Sequence, residues 1–271
     1  MTAQSLAVVA EKGGVGKTTM ILTLASALSR RGHSVLLIDA DPQASLSQYF
    51  LGPEMVDRLH PSRTVAGLFD DQYEPAPEDV IGQTETEGVF LAPTSDYMKE
   101  FNYPRPQTLG DVQFALAEFA EAVAGEFDFV LYDTPPDTGC LATWSTLMAC
   151  QNVLTPIVPE IFSAQSIAGV DRMLAVAQEA NRQLRFLGYV VNMRQKLRTM
   201  HMANEERLRA IHGDRVLDTV LANLTAVAEA QGLRQSVFEY APKSDAAAQA
   251  DALCEEVLAR VAQINRKRKA A

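Results

Sequence analysis

A glycine-rich loop lies between an apolar run and a helical pattern near the start of the chain. The loop reads KGGVGKTT over residues 12–19 and follows the run LAVVA at 6–10. Glycines allow backbone N–H groups to face an anion, and the amino end of the following helix adds a partial positive charge. This arrangement predicts a strand, a phosphate-binding loop and a helix in direct succession, which restricts the chain to α/β folds.

Apolar runs alternate with helical periodicity along the rest of the chain. Strand-like runs occur at 6–10, 34–41, 128–136, 152–159 and 187–193. Patterns of helical period occur at 17–31, 107–125, 163–183 and 243–265. Nearly continuous Val, Ile and Leu runs joined by helices are typical of a mostly parallel sheet with helices on both faces. We therefore expect a three-layer α/β fold of the P-loop NTPase class, with residues 1–271 forming a single domain.

The segment at about 52–88 differs in composition from the sheet-forming units. It is acidic and contains the turn-rich stretches LGPE and YEPAPED, which indicate irregular structure. We expect an insertion between units of the sheet rather than a separate domain. The final helical pattern, in contrast, is expected to dock on the sheet through one apolar face. The residues predicted for that face are Ala248, Leu253, Val257, Leu258, Val261 and Ile264.

Composition argues against several classes of protein. No apolar run approaches the roughly 18 uncharged residues of a membrane span, and no basic segment precedes the first apolar run, so we expect a cytoplasmic protein. The cysteines Cys140, Cys150 and Cys254 are odd in number and lack C-x-x-C spacing. We therefore expect buried apolar cysteines rather than a disulfide framework or a zinc site.

Charge is distributed unevenly along the chain. The formal net charge is −10 overall, but it is −15 for residues 1–181 and +5 for residues 182–271. The basic third ends in a tail at 266–271 that contains the run RKRK. Such a tail can be a solvated helix end, where cations suit the helix dipole, or it can contact the phosphates of a nucleic acid. The residues alone leave both interpretations open.

The loop residues are assigned roles from the geometry common to such loops. The residues whose backbone N–H groups are expected to surround the phosphates are Gly13, Gly14, Val15 and Gly16. Lys17 is expected to reach the β- and γ-phosphates, and Thr18 is expected to bind Mg²⁺ through its hydroxyl. Thr19 is expected to donate a hydrogen bond to the α-phosphate.

Two strand-like runs end in carboxylates, as a phosphoryl-transfer site requires. Asp133 closes the run DFVLYD, the position of a Walker B acid that holds Mg²⁺ through water. Asp39 and Asp41 close the preceding run, and two-residue spacing sends their side chains to the same face of an extended strand. We assign Asp41 to orienting the attacking water and Asp39 to the metal side. Sequence position does not rank the two acids.

Five stretches together resemble the ParA-type partition ATPases of the ParA/MinD superfamily, the deviant Walker A group. They are KGGVGKTT, VLLIDADPQASLSQ, FVLYDTPP, VLTPIVPEIFSAQSIAGV and FEYAPKSDAAAQA, and the weakest part of the resemblance is 52–88. The resemblance implies a slow, Mg²⁺-dependent ATP hydrolase that forms a homodimer around two ATP molecules. It also implies that Lys12, the lysine before the first glycine, reaches phosphates bound by the other subunit.

The same resemblance implies an adenine-binding role for Asn192, with Met193 beside the base. A side-chain amide offers both a donor and an acceptor, which suits the N6/N1 edge of adenine. A turn-forming asparagine is the alternative interpretation.

The chain departs from the family pattern in the stretch that commonly contacts DNA. Relatives that bind DNA without sequence preference often carry arginines in a stretch similar to IPRNVRLSEAP. Here the corresponding stretch is VLANLTAVAEAQ at 220–231, which contains no basic residue. We expect replacement contacts elsewhere in the basic third, which would make DNA binding steeply salt-dependent. The candidates are Arg194, Lys196, Arg198, Arg207, Arg209, Arg234 and the 266–269 tail.

The resemblance therefore implies a nucleoid-associated ATPase that positions a cargo. The dimer would bind DNA non-specifically and would leave it after hydrolysis, and the cargo could be a plasmid, a chromosome region or a protein assembly. No intrinsic arginine finger is evident, so stimulation by a partner, a ParB-like adaptor protein, is expected.

Three other functions share this kind of site. A MinD-like membrane regulator needs bulky apolar residues at the end of its last helix, whereas no Phe, Trp or Leu follows Leu258, so no stable membrane anchor is expected. An iron–sulphur reductase would match Cys140, seven residues after Asp133, but no second cysteine precedes Cys140, where that class keeps one. A scaffold that binds nucleotide without hydrolysis would not need both Asp39 and Asp41.

Overall fold

Apolar strands form one sheet in the computed structural model, which describes residues 3–103, 110–160 and 164–270, without the side chains of 164–166 and 267–270. The strands are β1 (Gln4–Val8), β2 (Val35–Asp39), β3 (Gly82–Gln83), β4 (Val89–Ala92), β5 (Phe129–Asp133), β6 (Asn152–Ile157), β7 (Arg185–Arg194) and β8 (Val216–Ala222). Within these residues the order is β3-β4-β2-β5-β1-β6-β7-β8. Of the eight strands described, β3 alone pairs antiparallel. The predicted mostly parallel α/β sheet is confirmed.

Helices connect the strands and cover both faces of the sheet. They are α1 (Lys17–Ser29), α2 (Ser45–Leu51), α3 (Pro53–Val56), α4 (Pro77–Val80), α5 (Ala115–Ala122), α6 (Leu141–Ala149), α7 (Ala164–Ala180), α8 (Thr199–His212), α9 (Thr225–Gly232), α10 (Val237–Tyr240) and α11 (Asp245–Ala270). Short 3₁₀ turns occur at Pro61–Arg63, Val65–Phe69, Asp96–Phe101, Asp111–Phe114 and Gly213–Arg215. None of the helices in the described ranges is long and apolar enough to cross a membrane.

Alternate side chains of the central strands enter two hydrophobic cores, one on each face of the sheet. In β1, Leu6 and Val8 join the core formed with α1 and α11, whereas Ala7 joins the core formed with α5 and α6. Strand β2 alternates in the same way, and all of its residues are buried. Because both faces are shielded from water, both must be apolar, which explains the continuous Val, Ile and Leu runs.

The strand order places the glycine-rich loop in the middle of the sheet. β1 lies between β5 and β6, and Asp133 at the end of β5 is in register with Val8 on one side and Asp39 on the other. These strands are parallel, so their carboxyl ends and the following loops lie at one edge. The loop and the two acids therefore meet there, although they are far apart in the chain.

Some elements differ from those expected from periodicity. The pattern at 107–125 gives only α5 and the 3₁₀ turn before it, while residues 104–109 lie outside the described residues. The strands β4 and β8 and the helices α6 and α8 were not expected. β8 is an edge strand in which only Val216 and Leu217 are buried, so its apolar pattern is weak. The exposed face of α8 mixes charged side chains with apolar ones such as Met200 and Ile211, and α6 is buried on nearly every side, so neither shows the usual amphipathic stripe.

The segment 52–88 is irregular, as expected, and it also contributes to the core. It contains α3, α4, two 3₁₀ turns and β3. Its side chains buried in the core with α5 and α6 are Val65, Ala66, Phe69 and Val80.

The final helix docks on the sheet as predicted, with one correction. Leu253, Val257 and Val261 are buried in the core with α1, and Leu258 and Ile264 pack against it. Ala248 is exposed, contrary to the predicted face. Buried alanines occupy that part of the interface instead, namely Ala246, Ala247 and Ala250. The small side chains bring the start of α11 close to the sheet.

Candidate active site

The glycine-rich loop leads into the amino end of α1. Gly14 and Gly16 have φ of 71° and 86°, a left-handed conformation that is costly for residues with a Cβ atom. A Cβ at Gly16 would lie 2.5 Å from Asn192 Nδ2 and 3.1 Å from Met193 Cε. Gly16 is thus required both for the turn and for the close approach of the end of β7. Among the described residues no side chain caps α1, so the N–H groups of its first turn are available to an anion.

A cleft of about 660 Å³ opens between the loop, the segment after β2 and the end of α9. This volume lies in the range of small-molecule sites. Among the residues expected to bind phosphates, those that line the cleft are Gly13, Gly14, Gly16, Lys17, Thr18 and Thr19. Asp41 lines it as well, and Lys17 and Asp41 are each only 7% exposed. A cation and a carboxylate are therefore held in one partly desolvated wall.

Thr18 and Asp133 form the pair that best fits a magnesium ion. The Thr18 hydroxyl donates to Asp133 Oδ2 over 2.6 Å. Asp133 Oδ1 is buried and has no hydrogen-bond partner among the described residues, and a buried acceptor of this kind is costly unless an ion or a water satisfies it. No group of three His, Cys, Asp or Glu residues in the described ranges could hold a metal by itself. A hydroxyl, a carboxylate and phosphates from a nucleotide suit Mg²⁺, which rarely uses an all-protein site.

Asp39 is engaged within the protein rather than directed at the cleft. Its Oδ2 accepts hydrogen bonds from the N–H and the hydroxyl of Ser47 over 2.8 and 2.7 Å, and its Oδ1 accepts from the N–H of Asp41 over 3.1 Å. Ser47 Oγ in turn accepts from the N–H of Thr94 over 2.9 Å. These contacts fix the turn that carries Asp41. The metal-side role expected for Asp39 stays a prediction.

Within the described residues, Asp41 is held at one carboxylate oxygen. Its Oδ1 accepts from the N–H of Gln43 over 3.0 Å, which fixes the carboxylate at the wall of the cleft. Its position in the cleft suits the predicted water-orienting role, because the second oxygen, Oδ2, can accept a hydrogen bond from a water in the cleft.

The buried acids make the site electrostatically unusual. Burial raises the pKa of Asp39, and hydrogen bonds from Ser47 offset part of that rise. Burial, and then the charge of Asp39, raise the pKa of Asp133. Burial lowers the pKa of Lys17, while Asp133 and Asp41 oppose that change. Three carboxyl groups close to a single buried lysine lack full charge compensation, so a divalent cation would stabilise their ionised forms.

Lys12 lies on a different side of the loop from Lys17. It is exposed, and no ion pair or hydrogen bond of its ammonium occurs within the described residues. It lines a neighbouring cavity of about 310 Å³ together with Val15 and Glu160. The wall of the larger cleft does not include Lys12 or Val15. A lysine without a partner in the described part of its own chain is compatible with a role toward another subunit.

Asn192 and Met193 lie against the loop at the end of β7. Asn192 Nδ2 donates to Val15 O over 2.7 Å, and its Oδ1 accepts from the N–H of Met193 over 2.9 Å. Met193 has a φ of 52° and lines the cleft. Both amide atoms of Asn192 are therefore engaged within the protein, Nδ2 with the loop and Oδ1 with the end of its own strand. A contact of Asn192 with adenine stays a prediction and would require one of these bonds to be exchanged.

Two residues that the sequence did not single out for the nucleotide site are Gln231 and Arg234. Gln231 Nε2 donates to Thr19 Oγ1 over 2.8 Å, which joins the end of α9 to the loop. Arg234 lines the same cleft. They follow Thr19 by more than two hundred residues, so no local spacing could have indicated the contact.

The basic side chains expected to contact DNA divide into paired and unpaired groups. Those that form ion pairs with Glu160 or Glu205 are Arg194, Arg198 and Arg209. Lys196, Arg207 and Arg266 are exposed, and the described part of the chain offers them no ion pair. The side chains at 267–269 lie outside those described. Lys196, Arg207 and Arg266 are therefore better candidates than the three paired arginines.

The cysteines are buried and free, as predicted. Cys140 Sγ lies 3.4 Å from both Asp137 O and Thr143 Oγ1, within the protein interior. A buried cysteine with these partners behaves as a small core residue. The structure gives no support to the iron–sulphur interpretation.

Comparison with known proteins agrees with this geometry. Residues 3–186 match the family model of an AAA domain. The chromosome-partitioning ATPase Soj of Thermus thermophilus is 32% identical over 274 residues, which cover 94% of this chain and 96% of Soj. A protein of Rhizobium rhizogenes described as a replication protein A is 32% identical over 251 residues, covering 87% of this chain but 61% of that longer protein.

The fold also has solved counterparts. A structure described as cobyrinic acid a,c-diamide synthase from Mycobacterium smegmatis, with bound ADP and magnesium, superposes with a TM-score of 0.78 over 94% of each chain. Its sequence identity is 24%, so it establishes similarity of fold alone. The match over almost the full length of Soj is more specific. This chain belongs to the AAA-domain family and, within it, to the ParA-type partition ATPases that include Soj.

Proposed function

We propose that this chain is a Mg²⁺-dependent ATP hydrolase that closes as a homodimer around two ATP molecules. As the dimer it would bind DNA without sequence preference on the nucleoid, in the cytoplasm, and position a cargo with a ParB-like adaptor protein that stimulates hydrolysis. The proposal treats residues 1–271 as a single ATPase domain. The observation that carries it is the joint placement of Lys17 and Asp41 in the wall of the glycine-loop cleft. Transfer of a phosphoryl group to water needs such a cation and such a carboxylate.

The residues divide the work of the reaction. The N–H groups of the loop and the start of α1 bind the phosphates, and Lys17 neutralises charge on the transferred group. Bound Mg²⁺ would neutralise further phosphate charge. Thr18 and Asp133 are the residues that would hold it, and Asp39 lies next to Asp133 on the neighbouring strand. Asp41 orients water through the oxygen that Gln43 does not occupy. Each contribution depends on positioning rather than on covalent chemistry.

Dimerisation would complete the site. Lys12 projects from the loop without a partner among the residues that the structure describes, and one buried lysine, Lys17, lines the cleft that would hold a triphosphate of high negative charge. A second cation from the other subunit would offset that charge and make the dimer depend on ATP.

Replacing Asp41 tests the proposal. In Asp41→Asn the shape of the side chain and its bond to the Gln43 N–H are retained, while the charge that orients water is lost. We expect ATP to bind with nearly normal affinity and the single-turnover rate of hydrolysis to fall roughly 10²-fold or more. Phosphate release from a stoichiometric mixture of protein and [γ-³²P]ATP measures this rate.

Asp57→Ala is the matched control, because Asp57 is exposed and its carboxylate has no hydrogen bond within the described residues. Its turnover should equal that of the wild type. If Asp41→Asn hydrolysed ATP as fast as the wild type, the attacking water would have to be oriented elsewhere and the proposed role of the cleft wall would be wrong.

A further inference from the structure

Arg234 has a backbone conformation that is rare for a residue with a side chain. Its φ is 54°, and the other non-glycine residues with positive φ in the described ranges are Ala44 and Met193. All three are at the nucleotide cleft: Met193 and Arg234 line it, and Ala44 lies between two residues that do. Strained backbone concentrates at functional sites when the surrounding structure enforces it. The turn that carries Arg234 is therefore a strained part of the cleft wall.

Backbone hydrogen bonds define the turn between α9 and α10. The N–H of Arg234 donates to Gln231 O over 3.0 Å, and the N–H of Gln235 donates to Ala230 O over 2.9 Å. The side chain of Gln231 is fixed to Thr19 Oγ1. The residue that adopts the left-handed conformation after a helix is usually glycine, because glycine has no Cβ atom and adopts this conformation without steric cost. An arginine at this position raises the energy of the folded backbone. The hydrogen bonds of the turn hold the backbone from which its side chain extends.

The guanidinium group of Arg234 reaches the opposite wall of the cleft. Its two terminal nitrogens lie 3.3 and 3.4 Å from the place where Gly52 would carry a Cβ atom, so the group packs against the bare backbone at the start of α3. The side chain is exposed and has no ion pair or hydrogen bond within the described residues. Its planar set of N–H donors therefore remains available to an anion.

We propose that Arg234 binds the nucleotide directly, on the side of the α-phosphate and ribose, and so contributes to the retention of ADP as well as ATP. This inference rests on the proposed ATPase function. Two observations place it on that side: Arg234 follows Gln231 by three residues, and Gln231 is bonded to Thr19, the loop residue expected at the α-phosphate. Lys17 serves the other end of the polyphosphate. The cleft thus holds one cation toward each end and one carboxylate, Asp41, beside Lys17.

This assignment changes the role of a residue that the sequence placed among the DNA contacts. A cation that contacts the α-phosphate side increases the affinity for ADP and for ATP equally, because both nucleotides have that phosphate. A cation that contacts DNA alone changes the affinity for neither nucleotide. The two roles therefore predict opposite results in a binding measurement without DNA.

The experiment compares wild-type protein with Arg234→Ala and Arg234→Gly. Dissociation constants for fluorescent mant-ADP and mant-ATP with Mg²⁺ are measured by titration, and duplex DNA binding is measured in parallel. We expect both nucleotides to bind roughly tenfold more weakly to both variants. Arg234→Gly relieves the left-handed conformation, so equal losses in the two variants would assign the effect to the guanidinium rather than to a damaged turn.

Arg182→Ala is the matched control. Arg182 is exposed in the turn between α7 and β7, at the amino ends of the strands and away from the cleft. Its substitution should leave both dissociation constants unchanged. Unchanged affinity for ADP and ATP in the Arg234 variants would overturn the inference, and so would a loss confined to ATP or to DNA. Failure of the wild-type protein to bind either nucleotide would instead contradict the proposed function itself.

Discussion

Gly16 shows how a single residue sets the geometry of the phosphate site. Its φ of 86° and its contact with Asn192 each exclude a side chain. The same residue ends the loop and begins α1. The loop pattern in the sequence is therefore explained by steric requirements at one position, and those requirements come partly from the distant strand β7.

Gly16→Ala should lower the free energy of unfolding by about 1–3 kcal/mol, because the new Cβ is strained at this φ and displaces the Asn192 amide. Nucleotide binding should be lost with it, since the loop can no longer close on the phosphates. Urea denaturation and mant-ATP titration measure the two effects. The control is Gly82→Ala, where a Cβ meets no atom within 4 Å and the backbone is not left-handed; equal losses in both variants would contradict the steric argument.

Glu256 links two elements, helix α11 and the edge strand β8. Its carboxylate accepts from the N–H groups of Asp218 and Thr219 over 2.9 and 2.8 Å. The Glu256 carboxylate also forms an ion pair of 2.9 Å with Arg260. The guanidinium of Arg260 in turn donates to the carbonyl of Leu187. The N–H groups of an edge strand need partners, and here a helix supplies them. This polar contact complements the apolar face that holds α11 on the sheet.

The same contact makes part of the stability depend on pH. Burial opposes ionisation of Glu256, but the N–H groups of Thr219 and Asp218 outweigh it and lower the pKa of Glu256. A carboxylate with a lowered folded-state pKa stabilises the protein above its unfolded pKa, and this contribution is lost as the pH falls through the folded pKa.

Glu256→Gln should therefore lower the free energy of unfolding at pH 7 by about 1–2 kcal/mol, and the loss of stability on acidification should be smaller than in the wild type. Urea denaturation between pH 3 and pH 7 measures both. Glu255→Gln is the neighbouring control, since the Glu255 side chain is 74% exposed. A wild-type acid profile in Glu256→Gln would refute the assignment.

At the scale of the whole molecule, the distribution of charge and the exposure of Lys12 are compatible with the proposed ATP-dependent dimer. The first two thirds of the chain are acidic and the last third is basic. Lys12 is exposed beside a cleft that needs more positive charge. A dimer built around ATP would bury this lysine and would bring together two copies of the basic third, which a polyanion such as DNA can bridge.

Lys12→Ala should leave binding of ATP to the monomer within about threefold of the wild type, because an exposed cation contributes little in its own chain. The ATP-dependent dimer, measured by multi-angle light scattering in Asp41→Asn so that ATP persists, should disappear. ATP-dependent retardation of duplex DNA should disappear with it. Lys243→Ala, an exposed lysine elsewhere, is the control; a normal dimer in the Lys12 variant would rule out a contribution in trans.

The sequence by itself determined the features that depend on short stretches of chain. The turn geometry and anion affinity of KGGVGKTT follow from its glycines and from the helix after it. Strands that are buried on both faces can be recognised in the sequence by their unbroken apolar runs. Acids directly after such strands must lie at one edge of a parallel sheet. The mostly parallel fold and the family were predictable for these reasons, whereas the half-exposed edge strand β8 was not.

Only the tertiary structure decided which polar atoms of the site remain available to bind a ligand or a water molecule. Asp39 and Asp41 are equivalent in the sequence, yet Ser47 and a backbone N–H occupy Asp39, while Asp41 lies in the cleft wall. The contact of Gln231 with Thr19 and the placement of Arg234 depend on the packing of α9 beside α1. A hydrogen bond depends on distance and direction in space, and residues far apart in the chain acquire these only when the whole sheet has assembled.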